Sequence, residues 1–406
     1  MLKIVTLDSG VKLIMDKMDS VNSTSIGIWC GTGSVNENPD EYGISHFIEH
    51  MLFKGTKNRN AYQIVQEMDS IGAEINAFTS KEKTCFYAKC IDENLYKAAD
   101  VLVDMIENPL FDSKELEREK LVVIEEINMN ADDPDDVAMD EFDRIDLFGS
   151  GLAHPVLGYK ENIMSFNHDF LAKYYNEHYC KDNIFVSVAG SFDEDVLIKY
   201  FQEKFKTIPE HKRIDEFIMP EGKHESKTIV KDIEQAHIIM GLNTVSATDD
   251  RRYHLSVISA LFGGGMSSRL FQTIREKKGL AYSIYSSNSF FNKTGQFGIM
   301  AGVAKDRVQE FLDAVKLEIE LLGKEQIKQH EFDTALTQIK SSYIFSLENT
   351  LHRMRTNGSN YLAFGYCPDQ ADTIKLINSI KLSDIEKTKK LITDFDKYTT
   401  VIVTGK

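Results

Sequence analysis

The sequence predicts an α+β protein of two homologous domains, each a mainly antiparallel sheet with helices packed on one face. Three observations carry this. The chain has 406 residues, which suits two domains of ordinary size better than one core. Short alternating or apolar runs of strand length are interspersed with segments of helical period. The order of these segments in the first half is then replayed in the second, in pattern rather than identity.

In the first half, an apolar run at 11–15 precedes the alternating segment 23–30, which reads as a strand. A loop rich in Gly, Asn and Asp follows, and a helical pattern begins at Ser45, with Gly43 or Ser45 in the cap region. Residues 74–88 read as a hairpin turning at 80–83. Helical periodicity covers 93–107 and 113–130, and Asp132-Asp133-Pro134 stops the second helix. A helix over about 167–177 leads to a buried-type strand at 183–190, and a further helix spans roughly 193–206. The polar stretch 207–226, with two prolines, reads as a linker between domains 1–206 and 227–406. Beyond it come an alternating segment at 237–241, a helix over 252–262 and strands at 282–287 and 295–302. Helices near 307–322, 328–345 and 383–392 and a terminal strand at 398–405 complete the replay.

Composition narrows the function. Hydrophobic residues make up 42% and charged residues 27%, the balance of a folded, water-soluble chain. No run approaches the roughly 20 apolar residues of a membrane helix, so no membrane is expected as a partner. The first eleven residues show neither a secretory h-region nor the Arg- and Ser-rich pattern of a transit peptide, which implies a protein that stays where it is made. Five scattered cysteines without CxxC spacing argue against a disulfide framework or a thiolate metal site and suit a reducing cytosol. A net charge of −16 makes nucleic acid an unsuitable partner and is compatible with an acidic cavity for basic peptides.

The chemistry concentrates in Gly43-Ile44-Ser45-His46-Phe47-Ile48-Glu49-His50-Met51-Leu52-Phe53. On a helix, His46, Glu49 and His50 share a face, while Phe47, Ile48, Leu52 and Phe53 wrap the remainder. Two imidazoles at this spacing can reach one Zn2+, and the carboxylate between them can take a proton from water activated there. A bare HxxEH is weak evidence; three ionisable groups on an otherwise apolar helix are stronger, because buried charge is costly unless paired or on a metal. A third protein ligand is required. In the helix 113–130, Leu116, Val123 and Ile127 mark the buried face, and Glu119 and Glu126 lie at about 60–80° from its centre. Glu115 and Glu125 fall away from it. Phase leaves open which of Glu119 and Glu126 touches the metal.

HxxEH is the inverted zinc motif. Its continuation here, His-Phe-Ile-Glu-His-Met-Leu-Phe-Lys-Gly-Thr at 46–56, resembles the pitrilysin/insulinase family of zinc peptidases, in the branch of the mitochondrial processing peptidase. The resemblance implies a third ligand 76 residues beyond the second His, which falls on Glu126, and a supporting Glu one heptad earlier, Glu119. It implies that Asn76, Ala77 and Phe78 belong to an edge strand that a peptide extends, although Asn76 also fits a plain hairpin polar group. Gly263-Gly264-Gly265-Met266-Ser267-Ser268-Arg269-Leu270-Phe271 through Tyr282 resembles the family's second signature, with Arg275 and Tyr282 as substrate-binding residues near the scissile bond. The glycine run lacks the Gly-Lys-Ser/Thr of a nucleotide loop. The resemblance further implies a homodimer closing as a chamber around unfolded peptides, with Glu49 as general base and Tyr282 assisting at the oxyanion; beside it, the lack of a transit-peptide pattern points to a bacterial cytoplasmic location. Two rivals stand beside this reading: a catalytically silent structural subunit of the same fold, and a zinc hydrolase of other substrates.

Overall fold

A computed structural model describes residues 2–213 and 216–406. The chain divides into two compact units, each discontinuous in sequence. The first comprises 1–128, 154–217 and 345–367; the second comprises 129–153, 218–344 and 368–406. The α+β class holds, but each half of the chain lends one helix to the unit of the other half.

The first unit is built on a six-stranded sheet: β1 (Leu2–Thr6), β2 (Lys12–Lys17), β3 (Ser23–Cys30), β4 (Glu74–Thr79), β5 (Thr84–Ile91) and β6 (Ile184–Gly190), in the order β1-β2-β6-β3-β5-β4. Only the β2/β6 pair is parallel. One face carries α1 (Ile44–Leu52), α2 (Ala61–Ser70), α3 (Leu95–Glu107), α4 (Ser113–Asp132), α6 (Lys160–Ser165), α7 (His168–His178) and α8 (Glu194–Gln202), whose apolar sides form one core with Leu13, Met15, Ile26, Ile28 and Val186. The second unit repeats the sheet without its first strand: β7 (Ser226–Val230), β8 (Gln235–Thr244), β9 (Ala281–Phe290), β10 (Gly295–Ala304) and β11 (Thr399–Thr404), ordered β7-β11-β8-β10-β9, again with one parallel pair, β7/β11. It contains α9 (Arg251–Gly263), α10 (Val308–Lys324), α11 (Gln329–Ser346), α13 (Gln370–Ser379) and α14 (Leu382–Thr388). Helices α4 and α11 run across the unit boundaries.

The far face of each sheet is also covered, by the exchanged helix. In the first unit α12 (Thr350–Phe364) packs Met354 among Ile14, Trp29, Cys85, Tyr87, Phe185 and Ala189. In the second, α5 (Pro134–Asp146) packs Ala138, Phe142 and Ile145 on Ile239, Val401 and Val403. The expected arrangement, helices on one face only, thus gains one helix on the other. The reason is visible in the strands: β6 is buried at every position, and such a strand needs cover on both sides. Small residues permit the close approach of α12. A Cβ on Gly358 would meet the Trp29 ring at 2.2 Å, and one on Gly27 would meet Met354 Sδ at 2.5 Å.

The contiguous division at 207–226 separates the sheets but not these helices, because α5 and α12 find their apolar partners in the other half's sheet. Within 207–226, Ile214 and Asp215 lie outside the described residues. The flanking stretches are bonded each to its own unit: Pro209 O accepts from Lys181 N, and Lys223 N donates to Ile145 O. Asp133-Pro134 ends α4 and also starts α5, with Asp133 capping Asp135 N and Asp136 N and Pro134 in the first turn.

Candidate metal centre

Helix α1 is preceded by Gly43, whose φ of 94° places it in the left-handed region that glycine tolerates. Its free amides are taken by a buried carboxylate, since Glu37 accepts from Gly43 N at 2.8 Å and from Ser45 N at 2.9 Å. Burial lifts the Glu37 pKa to about 8, with the two amide bonds acting in opposition. Ile44, Phe47, Ile48, Met51 and Leu52 are all buried, so three sides of the helix are committed to packing and one face carries His46, Glu49 and His50. Helix α4 approaches that face with the phase expected. Leu116 and Val123 enter the core, Glu119 is 4% exposed beside them, and Leu121 at 66% marks the outer side.

His46, His50 and Glu126 bring one ligand atom each to within 4.8 Å of one another. Glu126 Oε2 lies 3.8 Å from His46 Nε2 and 3.5 Å from His50 Nε2. These separations exceed hydrogen-bond length. They lie near the roughly 3.3–3.5 Å edge of a tetrahedron with zinc bonds of about 2.0–2.1 Å. The donor set therefore fits Zn2+, and among the described residues no other group of three or more His, Cys, Asp or Glu could hold a metal.

The electrostatics differ between the two histidines. Burial pushes the His46 imidazole down to about 3, with His50 acting in the same direction, which keeps it in the neutral form a metal needs. His46 Nδ1 is buried without a partner among the described residues. For His50, burial lowers the pKa, but the bond to Glu119 and the charges of Glu126 and Glu119 outweigh it, so the net shift is upward. His50 Nδ1 is 2.8 Å from Glu119 Oε1, which commits that nitrogen and leaves Nε2 for a metal. Glu119 Oε2 pairs with Lys54 Nζ at 2.7 Å. Burial would raise the Glu119 pKa, yet its bonds to His50 and Lys54 hold it below the usual carboxylate value. Burial raises the Glu49 pKa, opposed by the hydrogen bond from Thr79 Oγ1 at 2.5 Å.

Asn76, Ala77 and Phe78 lie on β4, the edge strand, which pairs only with β5 among the described residues. Asn76 Oδ1 accepts from Ala77 N at 2.8 Å. Arg275 and Tyr282 belong to the second unit. The structure brings them to each other, with the Arg275 guanidinium 5.5 Å from the Tyr282 ring centre and 4.7 Å from that of Phe271. Tyr282 is 78% exposed on edge strand β9. Sequence reasoning missed Lys54 and Thr79. Lys54 stands four residues after His50, in the turn that ends α1, a usable signal of nearness. Nothing local points from Thr79 to Glu49, which is thirty residues away.

Residues 13–158 match the family model described as insulinase (peptidase family M16), and residues 165–339 match the model described as peptidase M16 inactive domain. The "Uncharacterized zinc protease YmxG" of Bacillus subtilis is 38% identical over 385 residues, covering 95% of this chain and 94% of that protein. A protease from Helicobacter pylori superposes with a TM-score of 0.92 at 22% identity, covering 100% of this chain and 99% of that one. A peptidase M16 inactive domain from Pseudomonas fluorescens gives 0.93 at 16%, covering 100% and 98%. At these identities the structural likeness speaks for the fold alone. The sequence relationship goes further: this chain belongs to peptidase family M16, among relatives named zinc proteases.

Proposed function

We propose that the protein is a zinc metalloendopeptidase that cuts unfolded peptides or presequence-like segments. The observation that carries this is the convergence of His46, His50 and Glu126 with His50 fixed by Glu119. Bound there, zinc would supply a Lewis acid and bring the pKa of water to about 7. Glu49, on the same face of α1, takes the proton of the attacking water and passes it to the leaving amine. Glu119 keeps the His50 ring in the tautomer whose Nε2 faces the ligand cluster. The free edge of β4, through Asn76, Ala77 and Phe78, aligns the peptide as an added strand. Arg275 and Tyr282 hold the peptide near the scissile bond, and Tyr282 donates toward the oxyanion.

Two copies would close around an enclosed chamber, with Arg275 and Tyr282 of one serving the other, in a bacterial cytoplasm. The chamber and the shared residues rest on the family resemblance, and the compartment on the sequence expectation alone. A silent structural subunit is the alternative, and the match to an inactive domain covers 165–339, which excludes His46, Glu49, His50, Glu119 and Glu126. Glu49→Gln separates the two. The variant should retain zinc by metal analysis and lose about 10²–10⁴ in hydrolysis of a quenched peptide. Unchanged hydrolysis would sink the mechanism.

A further inference from the structure

Glu49 differs from the three candidate ligands in having a hydrogen-bond donor from the sheet. Its Oε2 accepts from Thr79 Oγ1, the last residue of β4. A threonine hydroxyl has a single proton to give. The residue paired with Thr79 across the ladder is Thr84, buried on β5 and 3.5 Å away between hydroxyl oxygens. Thr84 sends its own proton to Thr32 O at 3.0 Å, leaving that of Thr79 for the carboxylate. The Thr79 side chain is stiff at χ1, and β4 is laddered to β5 from Glu74 to Thr79. The position of this hydroxyl is therefore set by the sheet, not by the helix that carries Glu49.

We infer that Thr79 is a positioning residue: it aims the Glu49 carboxylate, leaving one oxygen to accept a proton, and ties that aim to strand β4. The inference rests on the peptidase reading above. A peptide that extends β4 then meets a base held by the strand it has joined, so substrate register and base position are set by one element.

Three variants test this, each assayed for kcat and KM on a quenched peptide, zinc affinity by chelator competition, and thermal midpoint. Thr79→Val keeps the shape and removes the proton. Its kcat should fall about tenfold, part of the 10²–10⁴ available to a general base, with KM and zinc affinity within about twofold of the parent. Thr79→Ser, which restores a hydroxyl, should recover most of the loss. Glu49→Gln should be inactive with zinc retained. Parental kcat in Thr79→Val beside an inactive Glu49→Gln would overturn the role of Thr79 alone. Equal losses in the Val and Ser variants, with zinc affinity or thermal midpoint falling, would mark Thr79 as merely structural and also overturn it. An active Glu49→Gln would instead bring down the peptidase reading itself.

Discussion

Helices α1 and α9 occupy equivalent places in the chain's two repeats, each following the strand at the third position of its sheet from the free edge, β3 or β8. Their side chains part company. On α1, His46, Glu49 and His50 share one face and meet Glu119 and Glu126 from α4. On α9 the buried side chains are apolar except for Ser259, which bonds Ser286, and the helix's one histidine, His254, bonds Thr388 Oγ1 at 3.0 Å. The backbone scaffold is repeated while the chemistry is not. A helix and a sheet need only a matching apolar face to pack, whereas a catalytic zinc needs three donors converging on one point, which here come from α1 and α4.

The largest effect should come from exchanging that comparison for a mutation pair. His50→Ala should abolish zinc binding and peptide hydrolysis, while His254→Ala should leave metal content and hydrolysis at parental values. Loss of zinc in His254→Ala would show that the second repeat shares the site.

The exchanged helices α12 and α5 sharpen the contrast on the far faces. Asp16 on β2, 1% exposed, binds Arg353 of α12 through both oxygens and also accepts from Asn357 Nδ2 at 2.9 Å. Asp16→Ala leaves a guanidinium in the packed face of α12 without this partner. It should cost about 3–5 kcal/mol, read as a lower urea midpoint. A smaller perturbation returns to the metal face. Glu119→Gln should weaken zinc affinity about 10–100-fold in a chelator competition, because the carboxylate that orients His50 becomes an amide. Parental affinity would remove Glu119 from the site.

The smallest effect concerns Asp146 on α5, which is buried with Oδ2 accepting from Gln296 Nε2 at 2.9 Å and Oδ1 without a partner among the described residues. Burial lifts its pKa to about 7, with Asp143 adding to the rise and the Gln296 bond opposing it. Its folded value lies above the unfolded one of about 3.9, so the native state binds the proton more tightly. The stabilisation is complete below about pH 4 and is lost as pH rises through about 7. The difference in urea midpoint between Asp146→Asn and the parent should therefore shift in favour of the variant across that window and level off above it. A difference independent of pH would refute the titration.

Legibility followed the range of the interactions. Periodicity alone located β3, the β4/β5 hairpin, α1, α4, α10 and α11, because each buries one face against a nearby core and repeats its apolar residues accordingly. It overlooked α5 and α12. Their apolar residues are few, and the surface they cover belongs to strands hundreds of residues away, such as Ile14 for Met354. Asp133-Pro134 was legible as a stop and is equally a start, since one Asp-Pro pair satisfies both ends.

Spacing along the chain was enough to put His46, Glu49 and His50 on one face and Glu119 and Glu126 beside a buried stripe, for helical geometry follows from spacing. The division of labour among these residues came from the packing of the elements. That packing set Glu126 facing both imidazoles, Glu119 behind His50 with Lys54, and Thr79 on Glu49. Those choices depend on where two helices and a strand meet, and distances between elements are fixed by packing, which no local pattern encodes.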